Sequence, residues 1–232
     1  MSELTVLCWL WRGWRPVYDV SHVNALARML RAHLSLPYRL VCITDQPAGI
    51  TECATFPFWG SVDVTQRKPQ NCYSRLRLFD PAVGRVFGDR LLSIDLDCVL
   101  LGDLAPLLTD HDFRAVRGIS APLNGSMYLL RAGTHSWVWT SWDASRSPAV
   151  IAAAQHNGRR LGGSDQAWMS LQVPRAATWG PEHGVLQFSE LAAASSLQDA
   201  RAVFFAGRIK PWSPECRQRL PHLYDSYSQW ID

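Results

Sequence analysis

The stretch from Arg90 to Leu108, RLLSIDLDCVLLGDLAPLL, constrains the chain more than any other. Its leucines, with Ile94, Cys98 and Val99, make an apolar run bound for an interior, yet Asp95 and Asp97 sit in its middle. In an extended chain, side chains two residues apart share a face. That spacing predicts Asp95 and Asp97 beside Ser93 on one side, with Ile94, Leu96 and Cys98 on the other. Two like charges that close repel, and an unpaired buried carboxylate is very costly. Either something positive sits between them, or the strand ends at water there. A divalent metal meets the first condition: paired aspartates are hard oxygen ligands suited to manganese or magnesium, and diphosphate oxygens can complete the shell. Surface carboxylates at a strand end meet the second.

The segments around this run read as alternating strands and helices. LTVLCWLW is strand-like, and a polar loop, RGWRPVYDV, follows it. A helix is predicted from about Ser21, its N-cap, with Val23, Leu26, Leu30 and Leu34 on one stripe. YRLVCITD is a second strand ending at Asp45. Strand–helix–strand at the start suggests a parallel sheet with a nucleotide-sized crevice at the strand ends. Further on, NCYSRLRLFDPAVG predicts a helix from Tyr73 to Phe79 stopped by Pro81. FRAVRG and SMYLLRAG read as strands, and GGSDQAWMSLQ as a glycine turn, a capping Ser164 and a short helix. RAVFFAGRIKPW is a late strand feeding a loop. In the tail, Leu220, Leu223, Tyr224, Tyr227 and Ile231 fall at helical spacing despite Pro221.

A length of 232 residues suits one α/β domain with a full-sized core. We expect a nucleotide-binding part over about 1–103, an acceptor-side part over about 104–212 and a helical tail over 213–232. A net charge of +3 is too weak to argue by itself for nucleic acid or a membrane. No apolar run approaches a membrane span, and the first one lacks the layout of a signal peptide, so a cytoplasmic location is expected. The six cysteines form no CxxC pair and agree with that expectation as free thiols. Of the eleven tryptophans, Trp9 with Trp11 and the group Trp137, Trp139 and Trp142 could stack on sugars, although burial is the commoner fate.

VFFAGRIKPW carries the second chemical signal. Gly207 permits close backbone approach to a phosphate, Lys210 offers a point charge, and Pro211-Trp212 stiffens the loop. A plain turn with a solvated lysine would read the same way.

LLSIDLDCVLLGDLAPLL together with FFAGRIKPW resembles the family 8 glycosyltransferases, the group of glycogenin-like enzymes and bacterial lipopolysaccharide galactosyl- and glucosyltransferases. The resemblance covers about Leu4 to Trp212, with further landmarks in the same order: YSRLRLF, LNGSMYLL and GSDQAW. It implies the GT-A fold, a Rossmann-like mixed, mostly parallel sheet flanked by helices. It also implies metal-dependent transfer of a hexose from a UDP-sugar with retention of anomeric configuration. By that resemblance Asp95 and Asp97 hold manganese or magnesium, and Lys210 with the Gly207 amide meets the diphosphate. Arg75 lies near the donor, Asn124 meets the donor sugar or acceptor, and Asp165 and Gln166 flank the reacting sugar. The first strand around Cys8 borders the nucleotide, and Asp45 is a candidate for uracil or ribose. The residues themselves keep blander alternatives: a surface arginine for Arg75, a helix-terminal carboxylate for Asp165, a tight turn for Asn124-Gly125.

One position departs from the pattern. The family has a histidine three residues before the late glycine, where it serves as the third protein ligand of the metal; here that residue is Phe204. Two aspartates, diphosphate and water could hold magnesium without it, or His183, His222 or Asp225 could fold in. A site that binds without turnover is the alternative. The acceptor expected is a saccharide or lipid-linked glycan; a modified nucleic-acid base is the competing acceptor, hinted at only by Arg12, Arg15, Arg159 and Arg160.

Overall fold

The computed structural model describes residues 3–12, 17–58, 71–162, 164–191 and 197–231. Among them the strands are β1 (Leu4–Leu10), β2 (Tyr38–Thr44), β3 (Ala54–Pro57), β4 (Arg90–Ile94), β5 (Cys98–Leu100), β6 (Phe113–Arg117), β7 (Leu123–Arg131), β8 (Ala177–Trp179), β9 (Val185–Gln187) and β10 (Ala202–Phe204). The helices are α1 (Val20–His33), α2 (Gly84–Phe87), α3 (Trp137–Thr140), α4 (Ser147–His156), α5 (Asp165–Gln172), α6 (Pro214–Arg219) and α7 (Pro221–Ser228).

The strands form a seven-stranded, mostly parallel sheet in the order β3-β2-β1-β4-β7-β6-β8 and a three-stranded sheet in the order β5-β10-β9. β2 and β3 run parallel, and β6 and β7 form an antiparallel hairpin with a bulge between Ala115 and Val116. All seven residues of β1 are buried, as a strand covered on both faces requires. The backbone packs as two compact units that interleave along the chain. One comprises Met1–Thr5, Trp59–Ser93 and Asp110–Thr178; the other comprises Val6–Phe58, Ile94–Thr109 and Trp179–Asp232.

In the first unit, Phe79 stands 5.5 Å from Phe113 and 6.0 Å from Tyr128, an aromatic core beneath the hairpin. The hairpin turn admits only glycine at Gly118, where a Cβ would meet Ala121 O at 2.0 Å. The expected helix over Tyr73–Phe79 is instead a 3-10 helix, Asn71–Phe79. Asn124-Gly125 is no turn; both residues lie inside β7.

In the second unit, α1 buries Val23, Leu26 and Leu30, and Leu34 beyond its end is buried too, which is the predicted stripe. Its N-cap is Asp19 rather than Ser21: the Asp19 carboxylate accepts from Ser21 N at 2.9 Å, and His22 Nδ1 accepts from Asp19 N at 3.0 Å. The histidine thereby fills the reciprocal place that Glu or Gln takes in an ordinary capping box. The tail resolves into α6 and α7, with Pro221 at the first position of α7, where its missing N–H is harmless. Leu220, Leu223 and Tyr227 are buried. No helix among the described residues is long and apolar enough to cross a membrane.

Candidate functional site

The aspartate pair does not lie on one continuous strand. β4 ends at Ile94 in the large sheet and β5 begins at Cys98 in the small one, so Asp95 and Asp97 occupy the break between them. The expected continuous strand is therefore not formed; Leu96 and Asp97 are both buried while Asp95 is half-buried.

Asp97 pairs with Lys210, 113 residues away: Nζ stands 2.5 Å from Asp97 Oδ2, with both side chains only 10% exposed. Tyr18 OH donates to the same oxygen at 2.9 Å, and Nζ lies 5.4 Å from the Tyr18 ring centre. The route of the chain explains the meeting. β10 pairs antiparallel with β5, placing Phe204 opposite Cys98, and Phe205 N donates to Asp97 O at 3.0 Å. Gly207 then turns the backbone at φ +86°, a conformation that side-chain-bearing residues rarely adopt. This returns Lys210 toward the strand end, where Nζ also lies 3.4 Å from Phe205 O and Ser213 Oγ accepts from Lys210 N at 3.3 Å.

Trp212, next in the loop, is clamped by aromatic rings: His22 at 4.0 Å, Tyr227 at 5.4 Å and Tyr18 at 5.8 Å. Burial lowers the His22 pKa, partly offset by its contacts with Asp19. Burial, then the nearby Cys98 and the Asp19 and Asp97 charges, pushes the Tyr227 phenol upward. Its hydroxyl is buried without a hydrogen-bond partner among the described residues.

No third protein ligand joins Asp95 and Asp97 among the described residues. Phe204, paired with Cys98, is 1% exposed, and Phe205 is stacked on Phe188 at 4.6 Å. His183 turns to Gly180 N and Glu182 instead, and His222 and Asp225 are exposed on α7. Among the described residues no group of three His, Cys, Asp or Glu side chains is placed to hold a metal. The positive charge demanded by Asp97 comes from the chain itself.

The first unit gathers the other predicted residues. Arg75, from the 3-10 helix, makes a two-pronged ion pair with Asp165, the first residue of α5: Nε to Oδ2 at 2.8 Å and Nη2 to Oδ1 at 3.0 Å. Both are buried, at 5% and 1% exposure. Neither is the surface group that an isolated arginine or helix-terminal carboxylate would be. Gly125 lies against the pair; a Cβ there would come 2.9 Å from Arg75 Nη2 and 3.3 Å from Asp165 Oδ2. Gln166 uses its amide at both ends, Oε1 accepting from Gly125 N at 3.2 Å and Nε2 donating to Gly162 O at 2.8 Å. Asn124 is buried, with Oδ1 accepting from Ser126 N at 2.8 Å.

Two further predicted residues lie in the second unit. The Cys8 thiol is fully buried, so it belongs to core packing rather than to a ligand surface. Asp45 accepts from Arg12 N at 3.0 Å, tying the segment after β1 to the end of β2. Arg159 and Arg160 are exposed, and Arg15 lies outside the described residues, as does Gly163 of the predicted glycine turn. Trp9 is buried, whereas Trp137 is 48% exposed and Trp139 and Trp142 are half-buried, Trp142 stacked on Tyr73 at 4.3 Å. Sequence reasoning missed Tyr18 and Gly125. An isolated glycine inside a strand pattern is a signal for close approach; nothing local marks Tyr18.

No family model matches the chain, and no curated protein does. Solved structures do. The galactosyltransferase LgtC in complex with donor and acceptor sugar analogues is 12% identical, with a TM-score of 0.61, over 97% of this chain and 95% of that one. An active-site mutant of LgtC gives the same identity and TM-score over 98% and 96%. At that identity the likeness speaks to architecture, and it covers nearly every residue of both chains: the protein has the GT-A fold.

Proposed function

We propose that the protein is a glycosyltransferase that moves a hexose from a UDP-sugar to an acceptor hydroxyl, with retention of configuration and a saccharide or lipid-linked glycan as acceptor. The observation that carries this reading is the contact of Lys210 with Asp97. Two short motifs that look unrelated in sequence converge on one charged cluster, in a fold shared end to end with a galactosyltransferase crystallised with donor and acceptor analogues.

In the reaction proposed, the bond between the anomeric carbon and the β-phosphate oxygen breaks, and its electron pair leaves with the diphosphate. The Lys210 ammonium and the backbone at Gly207 stabilise that growing negative charge. The acceptor oxygen bonds to the anomeric carbon from the same face and gives its proton to the released diphosphate oxygen, so no protein nucleophile is invoked. Asp165 and Gln166 take the sugar-facing roles, with Arg75 locking the Asp165 carboxylate and Asn124 meeting the sugar or acceptor. No step is routed through a divalent ion at Asp95 and Asp97, since Asp97 already pairs with Lys210.

The test is UDP release from a panel of UDP-sugars by the purified chain. Slow hydrolysis without acceptor, faster with oligosaccharide or glycolipid acceptors, is expected. A second reading, nucleotide-sugar binding without turnover, draws on the buried Phe204; UDP binding with no release from any donor would establish it instead.

A further inference from the structure

We propose that the diphosphate of the donor is bound without a divalent cation, with Lys210, held on Asp97 and Tyr18, standing where the ion would otherwise act. The proposal rests on the nucleotide-sugar reading above and specifies how that site neutralises its ligand.

Three features of the second unit argue for it. The first is the donor set. Of the two carboxylates at the strand break, Asp97 already carries an ammonium at 2.5 Å and a phenol at 2.9 Å on the same oxygen. A dication on Asp97 would sit beside a fixed positive charge in a place only 10% exposed, where like charges are poorly screened. The second is the neighbouring strand. Phe204 pairs with Cys98 across β5–β10 and Phe205 N donates to Asp97 O; both side chains are buried hydrocarbon with no atom that could ligate a cation.

The third is the ammonium itself. Lysine has three N–H donors. One goes to Asp97 and a second, more weakly, to Phe205 O at 3.4 Å; among the described residues the third has no acceptor. The head group is thus positioned by two acceptors and an aromatic face, with one donor left for a phosphate oxygen. The loop that carries it is fixed by the Gly207 turn, by Ser213 and by the Trp212 clamp. An ammonium so held is preorganised, which is what electrostatic stabilisation of a departing diphosphate requires. Asp97 in this arrangement is a positioning residue for Lys210 rather than a metal ligand.

Calorimetric titration of UDP into the intact chain, once in excess EDTA and once in millimolar manganese, tests the proposal without any variant. UDP binding with the two dissociation constants within about threefold of each other is the expected result. Binding seen only with manganese, or tightened tenfold or more by it, overturns the proposal and leaves the nucleotide-sugar reading standing. No UDP binding under either condition overturns both. Lys210→Met provides a second arm: UDP binding in EDTA should weaken at least tenfold in protein whose circular dichroism matches the parent, and an unaltered affinity overturns the role of Lys210. Paramagnetic resonance of manganese mixed with the chain alone supplies a third, since a stoichiometric bound-ion signal contradicts the proposal and a free-ion spectrum supports it.

Discussion

Replacing Arg75 by methionine should destabilise the protein heavily, because of what it leaves behind. Arg75 and Asp165 form two charge-assisted hydrogen bonds of 2.8 and 3.0 Å, with side chains 6% and 2% exposed. Opposite charges with centres about 4 Å apart attract by roughly 4 kcal/mol at an effective dielectric near 20. Breaking such a pair from one side strands a buried carboxylate, and the measured scale for that is about 3–5 kcal/mol. In a chain of this size that corresponds to a fall in Tm of roughly 6–20 °C. Urea unfolding followed by tryptophan fluorescence measures it directly. The double variant Arg75→Met with Asp165→Leu, which leaves no buried charge, should lose less than either single variant. A loss under about 1 kcal/mol for Arg75→Met, the scale of an exposed ion pair, would refute the reasoning.

Gly125→Ala should cost about 1–3 kcal/mol in the same urea assay, since its Cβ would press on Arg75 Nη2 at 2.9 Å; a neutral result would show that the strand can yield there. His22 is depressed chiefly by burial, and His33 and His135 in the same direction, so the unfolded chain binds protons more readily near pH 6.5. Stability is therefore full above about pH 7 and declines as pH falls below the unfolded histidine value. His22→Gln should make the decline shallower, and a urea midpoint that rises between pH 7.5 and 5.5 would contradict the sign. Tyr227→Phe removes a hydroxyl buried without a described partner and should raise the unfolding free energy by about 1 kcal/mol; a fall would mean that the hydroxyl is satisfied.

Much of the architecture was legible because it rests on local pattern. The apolar run of β1, the stripe on α1 and the run of β2 need only their own residues to declare period and burial. Asp19 escaped notice as the cap because its partner at the third helical position is a histidine, outside the usual Ser-x-x-Glu pattern. The Asn124-Gly125 pair, a turn signal by composition, is overridden by tertiary packing: β7 needs a residue without a side chain where Arg75 and Asp165 meet. For the candidate site, the residue types were readable but their pairing was not. The aspartate pair requires a positive charge, and the sequence leaves open whether it is an ion or a lysine 113 positions away. The antiparallel β5–β10 register, which brings Phe204 to Cys98 and Phe205 to Asp97, carries the lysine loop back to the carboxylate, and no local pattern announces it. Arg75 and Asp165, separated by 90 positions, pose the same difficulty.

A crystal structure of the protein soaked with UDP tests the role of Lys210 most directly. A β-phosphate oxygen is expected within about 3 Å of Lys210 Nζ. UDP bound elsewhere, or a diphosphate that leaves Lys210 untouched, would contradict it.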